Sequence, residues 1–140
     1  MAGLTYLLDT NILTEGSRPR PNSAVMSRIA ESWSQAGTGA PILHELHYGV
    51  MSMPIGRRRE RLAEYYRRLL VSSLPILPYD ADAARWHAVE RARLTTDGRT
   101  PAFVDGQIAA IAVANGLTLV TRNLADYAGF ADLVVENWFQ

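Results

Sequence analysis

Short apolar runs alternate along this chain with longer stretches of helical periodicity, and that alternation is what most limits the folds open to it. Residues 4–8 form a partly aromatic run closed by Asp9, Pro75-Ile76-Leu77-Pro78 leaves room for a brief strand, and residues 117–121 and 133–135 supply two more. Between them, Asn22 is placed to cap a helix with the stripe Val25, Met26, Ile29 and Trp33, stopped by Gly37 and Gly39. A second helix starts at Pro41, carries Ile42, Leu46, Val50 and Met53 on one face, and breaks at Met53-Pro54-Ile55-Gly56. The third repeats Leu62, Tyr65, Tyr66, Leu69 and Leu70 at offsets of three and four, so the two make a helical hairpin. Asp80 caps a further helix through Ala84, His87, Ala88, Arg91 and Leu94 that ends at Asp97-Gly98. Residues 103–115 form an alanine-rich helix with Gly116 at its end.

Strands separated by helices predict an α/β fold with a mostly parallel central sheet, which places functional groups at the carboxyl ends of the strands. The high helix content between the first strand and the second predicts a helical arm projecting from the sheet. A length of 140 residues suits a single domain, 1–140, and no repeat or linker divides it. The absence of cysteine excludes disulfide frameworks, thiolate zinc sites and cysteine nucleophiles. No stretch approaches the roughly 20 apolar residues that span a bilayer, and the first nine residues lack a basic segment followed by a long apolar one. The expectation is a soluble, cytoplasmic protein with no membrane partner.

Formal charge is zero, so any attraction to nucleic acid must be local. Every basic side chain apart from the histidines is an arginine, and Arg57, Arg58, Arg59, Arg61, Arg67 and Arg68 crowd into one short segment. Arginine suits bidentate phosphate contacts, while a charge run is ordinarily a solvated helix face. Arg57, Arg58, Arg61 and Arg122 are the candidate nucleic-acid contacts.

The acidic residues point to chemistry. Asp105 shares a helical face with Ile108, Ala109 and Ala112, so its carboxylate points where the apolar stripe points. A buried carboxylate must be protonated, paired, used as a cap or bound to a cation. Asp9 follows the first strand and can serve as a turn or helix cap. Glu45 lies at the edge of the Ile42, Leu46 and Val50 stripe, free to face a surface partner or lean inward. Asn123 and Asp126 follow the strand at 117–121, where they can also start a turn. Four segments can thus bring oxygen ligands to one crevice, and oxygen ligands are what magnesium selects. Magnesium held beside a phosphate supports phosphodiester hydrolysis.

Leu7-Leu8-Asp9-Thr10-Asn11-Ile12-Leu13 resembles the opening motif of PIN domains, and Glu45-Leu46-His47-Tyr48-Gly49 resembles their glutamate motif. Asp105-Gly106-Gln107-Ile108-Ala109-Ala110 is similar to the third acidic motif, and Thr118-Leu119-Val120-Thr121-Arg122-Asn123 with Asp126-Tyr127 to the last. The loop from Glu15 to Asn22 adds a pattern similar to toxins of the VapC and FitB type. The resemblance covers almost the whole chain. It implies a three-layer PIN-like α/β/α fold and a magnesium-dependent endoribonuclease, with manganese as a substitute ion. It also implies inhibition by a cognate antitoxin, and a homodimer. By the same resemblance Asp9 and Asp105 are the principal metal ligands, Glu45 completes the cluster, and Asn123 or Asp126 supplies the fourth contact. Two positions depart from the pattern: Ile42 replaces a threonine three residues before the glutamate, and Asn123 replaces an acid.

Other chemistries fit less well. His44-Glu45-Leu46-His47-Tyr48 lacks the second histidine at the spacing that zinc proteases need. No nucleophile elbow is present. His87 falls on the apolar side of its helix as a core histidine, and the tyrosines and tryptophans stand mostly at core spacing. The competing readings are a catalytically silent module that binds nucleic acid or antitoxin, and a DNA nuclease, since metal-activated water does not distinguish the sugars.

Overall fold

A computed structural model describes residues 3–140. Its elements run β1 (Tyr6–Leu8), α1 (Thr10–Leu13), a 3-10 turn (Glu15–Ser17), α2 (Ser23–Ser32), a second 3-10 turn (Trp33–Gln35) and β2 (Ala36–Gly39). The hairpin α3 (Ala40–Met51) and α4 (Arg57–Val71) leads to β3 (Ile76–Leu77) and α5 (Ala81–Thr96). The chain ends in α6 (Phe103–Ala114), β4 (Thr118–Val120), α7 (Leu124–Tyr127) and β5 (Val135–Glu136).

The five strands make one sheet in the order β3-β2-β1-β4-β5. Every pairing is parallel, with Tyr6 opposite both Ala36 and Thr118, Thr38 opposite Ile76, and Leu119 opposite Val135. The expected sheet was mostly parallel; the sheet observed is wholly so. Parallel crossovers are right-handed, so connections that leave in opposite directions put helices on opposite faces, giving three layers. From β1 the chain moves outward to β2, whereas from β4 it moves the other way to β5. The topological switch point therefore lies between β1 and β4, where an open α/β sheet parts to form a crevice beyond its carboxyl ends.

The expected caps are present. The Asn22 side chain accepts from Val25 N at 3.1 Å and that of Asp80 from Ala83 N at 3.0 Å. Gly98 and Gly116 adopt positive φ (72° and 66°) just beyond their helices, a conformation that costs other residues more. The core under the sheet is built from Leu7, Leu8, Ile12, Ile42, Ile108, Ile111, Leu119 and Val120, all essentially without solvent contact.

One expectation is overturned. Gly37 and Gly39 do not merely stop α2; with Ala36 and Thr38 they form β2, which is buried along its whole length. Larger side chains there would press on close neighbours. A Cβ on Gly37 would lie 3.2 Å from Pro75 O, and one on Gly39 3.2 Å from Ile111 Cδ1. Thr38 Oγ1 donates to Leu8 O at 2.9 Å, so its hydroxyl is satisfied inside the core. The terminal strand is also displaced, at Val135–Glu136 rather than 133–135, and Met53 lies past the end of α3.

Within the hairpin, α4 has no fully buried residue, and its apolar stripe is only half-covered. Tyr65 ties it down by donating to Leu13 O at 2.7 Å. No helix among the described residues is long and apolar enough to cross a membrane.

Candidate metal centre

Asp9 sits where β1 ends, and its backbone N–H still bonds across to Val120 O of β4 at 3.0 Å, which fixes it at the switch point. It is the N-cap of α1: Oδ1 accepts from Thr10 N and Oδ2 from Thr121 Oγ1, both at 2.8 Å. Only 5 % of the residue is exposed. Burial pushes its carboxyl above the ordinary carboxylate value, the Thr10 and Thr121 donors pull it back, and the charge of Asp126 adds to the rise.

Two further acids share the cavity that begins here. Glu45 comes from the second turn of α3 and Asp105 from the first turn of α6. The Glu45 carboxyl is raised first by burial, then by the charges of Asp9 and Asp105. That of Asp105 is raised by burial, then by Asp126 and Asp9. The cavity holds about 310 Å³ and is also lined by Thr10, Asn11, Thr14, Asn123 and Tyr127, with no arginine or histidine among its walls.

Hydroxyls and amides organise these acids. Thr121 Oγ1 donates to Asp9 and accepts from Asn11 Nδ2 at 3.2 Å and Asn123 N at 3.1 Å, so one hydroxyl links the ends of β1 and β4. Asn11 Oδ1 in turn accepts from Arg122 N at 2.9 Å. Tyr127 donates to Asp105 Oδ1 across a long 3.4 Å, and burial among acids drives its phenol pKa far up, keeping the proton on. Sequence reasoning did not assign roles to Thr10, Thr121 or Tyr127. The signal available for Thr121 was its position at a strand's carboxyl end, equivalent to that of Asp9.

The remaining candidates divide. Asn123 lines the cavity, and its side chain makes no cap bond to α7. Asp126 is exposed and outside the cavity wall, yet near enough for its charge to raise Asp9 and Asp105. Arg122 is not in the wall; its guanidinium stacks 4.5 Å over the Phe139 ring. Arg57, Arg58 and Arg61 stand on α4, exposed and outside this cavity. His87 is a core histidine as expected, 2 % exposed, with Nδ1 bonded to Tyr79 Oη at 2.8 Å.

The donor set fits a hard cation. Three carboxylates raised by desolvation and by acidic neighbours, with only His44 drawing Glu45 back and no arginine or histidine in the cavity wall, carry a cost that a divalent ion removes. Thr10 Oγ1, buried in the same wall, has no hydrogen-bond partner. No three His, Asp or Glu side chains among the described residues stand close enough for a ready-made direct cage.

The model of the PIN domain matches residues 6–128. This chain belongs to the PIN-domain family. "Toxin FitB" of Neisseria gonorrhoeae is 35% identical to this chain over 137 residues, covering 94% of this chain and 96% of that protein. "VapC ribonuclease Y4jK" of Sinorhizobium fredii is 33% identical over 138 residues, covering 94% and 96%. The crystal structure of FitAcB from Neisseria gonorrhoeae superposes with a TM-score of 0.87 at 31% identity, covering 97% of this chain and 99% of that one. The PIN motifs lie where the cavity is: Asp9 after β1, Glu45 on α3, Asp105 on α6 and Asn123 after β4.

Proposed function

We propose that this PIN domain is a magnesium-dependent endoribonuclease and the toxin of a toxin–antitoxin pair. One observation carries the reading: Asp9, Glu45 and Asp105, from three separate elements, line one cavity at the switch point whose wall contains no arginine or histidine. Asp9 and Asp105 would hold the ion, Glu45 would complete the set, and Asn123 or Asp126 would reach it directly or through water. Manganese, equally an oxygen-seeking ion, would substitute. When bound, the ion neutralises the carboxylates, lowers the pKa of water and shields charge developing on phosphate oxygens.

The chain's own groups set the geometry. Thr121 and the Thr10 N–H hold both Asp9 oxygens, which fixes that carboxylate against the β1 and β4 ends. Glu45, the most open of the three residues, with a carboxyl raised by desolvation and then by its acidic neighbours, is suited to take a proton from water attacking in line. Tyr127 keeps its proton and orients Asp105. The relatives named as a ribonuclease and a toxin support RNA as substrate and a cognate antitoxin as partner; a homodimer is part of the same proposal.

The test is cleavage of total RNA by the purified, partner-free protein with and without magnesium. Asp9→Asn and Asp105→Asn should each lower cleavage by at least about a hundredfold while leaving the melting profile folded. Wild-type rates in either variant would remove the proposed centre.

A further inference from the structure

The zero net charge of the chain conceals a strong asymmetry. Helix α4 carries six arginines against two glutamates, so the rest of the molecule is correspondingly acidic. Three of those arginines are committed. Arg67 and Arg68 hold Glu64, and Arg59 donates to Met53 O and contacts Met51 Sδ. Arg57, Arg58 and Arg61 are exposed and make no ion pair or hydrogen bond among the described residues. They also crowd the amino-terminal end of the helix, where the backbone dipole disfavours positive charge. Local stability does not account for them.

Two of the three face a formed cleft. Between α4 and the loop after α1 lies a cavity of about 700 Å³, walled by Arg18, Pro19, Arg58, Arg61, Tyr65 and Tyr66. The tyrosines are half-buried rather than enclosed in the core, with ring centroids 5.5 Å apart at an interplanar angle of 62°. The cleft and the acidic cavity share no lining residue, but one short segment of chain joins their walls. Asp9 caps α1, Thr14 just beyond α1 lines the acidic cavity, and Ser17 three residues on lines the cleft. Tyr65 fixes the distance between them through its bond to Leu13 O. Among the acids near this cleft, Glu15 is buried and engaged by Asn22 N at 2.7 Å and Arg18 at 3.4 Å, and Glu64 is held by its arginines. Glu60 lies on the neighbouring groove with Arg57.

The geometry points to this cleft as the track for the RNA strand leaving the acidic cavity. Arg58 and Arg61 take phosphates, and the tyrosine rings give bases an apolar surface to pack on. A strand cut at Asp9 and Asp105 would thereby be held on one side of the scissile bond. This inference rests on the nuclease reading.

The test measures binding of a fluorescent single-stranded oligouridylate across a salt series, with magnesium, in an Asp105→Asn background that does not turn it over. Arg58→Ala and Arg61→Ala should each weaken binding about tenfold and lower the salt slope by about 0.7, with the double variant losing about twice that slope. Arg85→Ala, which removes an exposed arginine on α5 paired with Asp82, should leave the slope unchanged. Circular dichroism checks that each variant is folded. Unchanged slopes in the α4 variants, or an equal loss in Arg85→Ala, would overturn the cleft and leave these arginines to a protein partner or to solvent. If the wild-type chain fails to cleave RNA with magnesium, it is the nuclease reading that falls; cleavage with unaltered slopes sinks only the cleft.

Discussion

Gly106 stands next to Asp105, and the packing behind it lets the position of that carboxylate be tested without touching the cavity. A Cβ at residue 106 would lie 2.1 Å from His87 Nε2, 2.6 Å from Cδ2 and 3.0 Å from Cε1, so the ring edge occupies the space an alanine methyl needs. Restoring normal contact requires a shift of roughly 1 Å or more. The ring cannot yield freely, because Nδ1 is bonded to Tyr79 and the Phe103 ring lies 4.8 Å away. Overpacking of this kind costs about 1–3 kcal/mol, and loss of the Tyr79 bond adds about 1 kcal/mol. Alanine's better helix propensity offsets about 1 kcal/mol. Gly106→Ala should therefore destabilise by about 2 kcal/mol, which lowers Tm by about 8 °C at roughly 4 °C per kcal/mol. His87→Ala should be destabilising on its own through the cavity it leaves, yet in the double variant the two losses should fall short of their sum by about 2 kcal/mol. Far below Tm, RNA cleavage by Gly106→Ala should still fall by up to about a hundredfold, because α6 carries Asp105 with it when it moves off the ring. Urea and thermal unfolding of the four proteins, with cleavage rates at low temperature, decide the matter. A melting temperature within about 1 °C of the parent, or strict additivity, would refute the packing argument.

Two further expectations concern the cavity itself. Thr121→Val removes a donor from Asp9 and leaves Asn123 N and the Asn11 amide without that partner; unfolding should show a loss of about 1–3 kcal/mol, largely recovered by Thr121→Ser. Losing that donor also lets the Asp9 pKa rise further, so the acidic limb of the pH–rate profile should move to higher pH, and an unmoved limb would reduce Thr121 to a structural role. The carboxyls of Asp9, Glu45 and Asp105 are all raised above their unfolded values, so the stability they contribute is fully present below the ordinary carboxylate range and is lost as pH rises through their folded pKa values. Glu90, lowered by Arg93, changes stability in the opposite sense, but it does so with or without metal. Magnesium should therefore raise Tm near neutrality and progressively less as pH falls through the carboxylate range; an increment independent of pH would place the ion elsewhere.

The parts of this fold that were legible from sequence are those in which a residue type answers a local demand. Asn22 and Asp80 cap helices because short oxygen-bearing side chains meet free N–H groups, and Gly98 and Gly116 follow helices because positive φ is least costly for glycine. Strand β2 was illegible for the opposite reason. Ala36-Gly37-Thr38-Gly39 has neither the β-branched content nor the alternation of a strand, since its residues answer to Pro75 and Ile111, which are distant in the chain. Missing β2 hid the sheet's true centre, because only with β2 beside β1 does the order place the switch point between β1 and β4.

The same distinction governs the site. Asp9, Glu45 and Asp105 could be nominated because a carboxylate on or beside an apolar surface demands compensation, whatever surrounds it. A threonine makes no such demand, since its hydroxyl can be satisfied by its own backbone, and Thr121 passes as a strand residue until β1 and β4 are paired. Once they are, residues 9 and 121 follow neighbouring strand ends, and a hydroxyl between a buried carboxylate and two amide donors becomes the element that holds the crevice in register. Arginines are ambiguous from sequence for a further reason: six crowd one helix, and only the partners of Arg59, Arg67 and Arg68 separate those that stabilise α4 from those left for a ligand. Chemistry in this domain is thus announced by its acids, while the geometry that makes them usable resides in neutral groups whose role exists only in three dimensions.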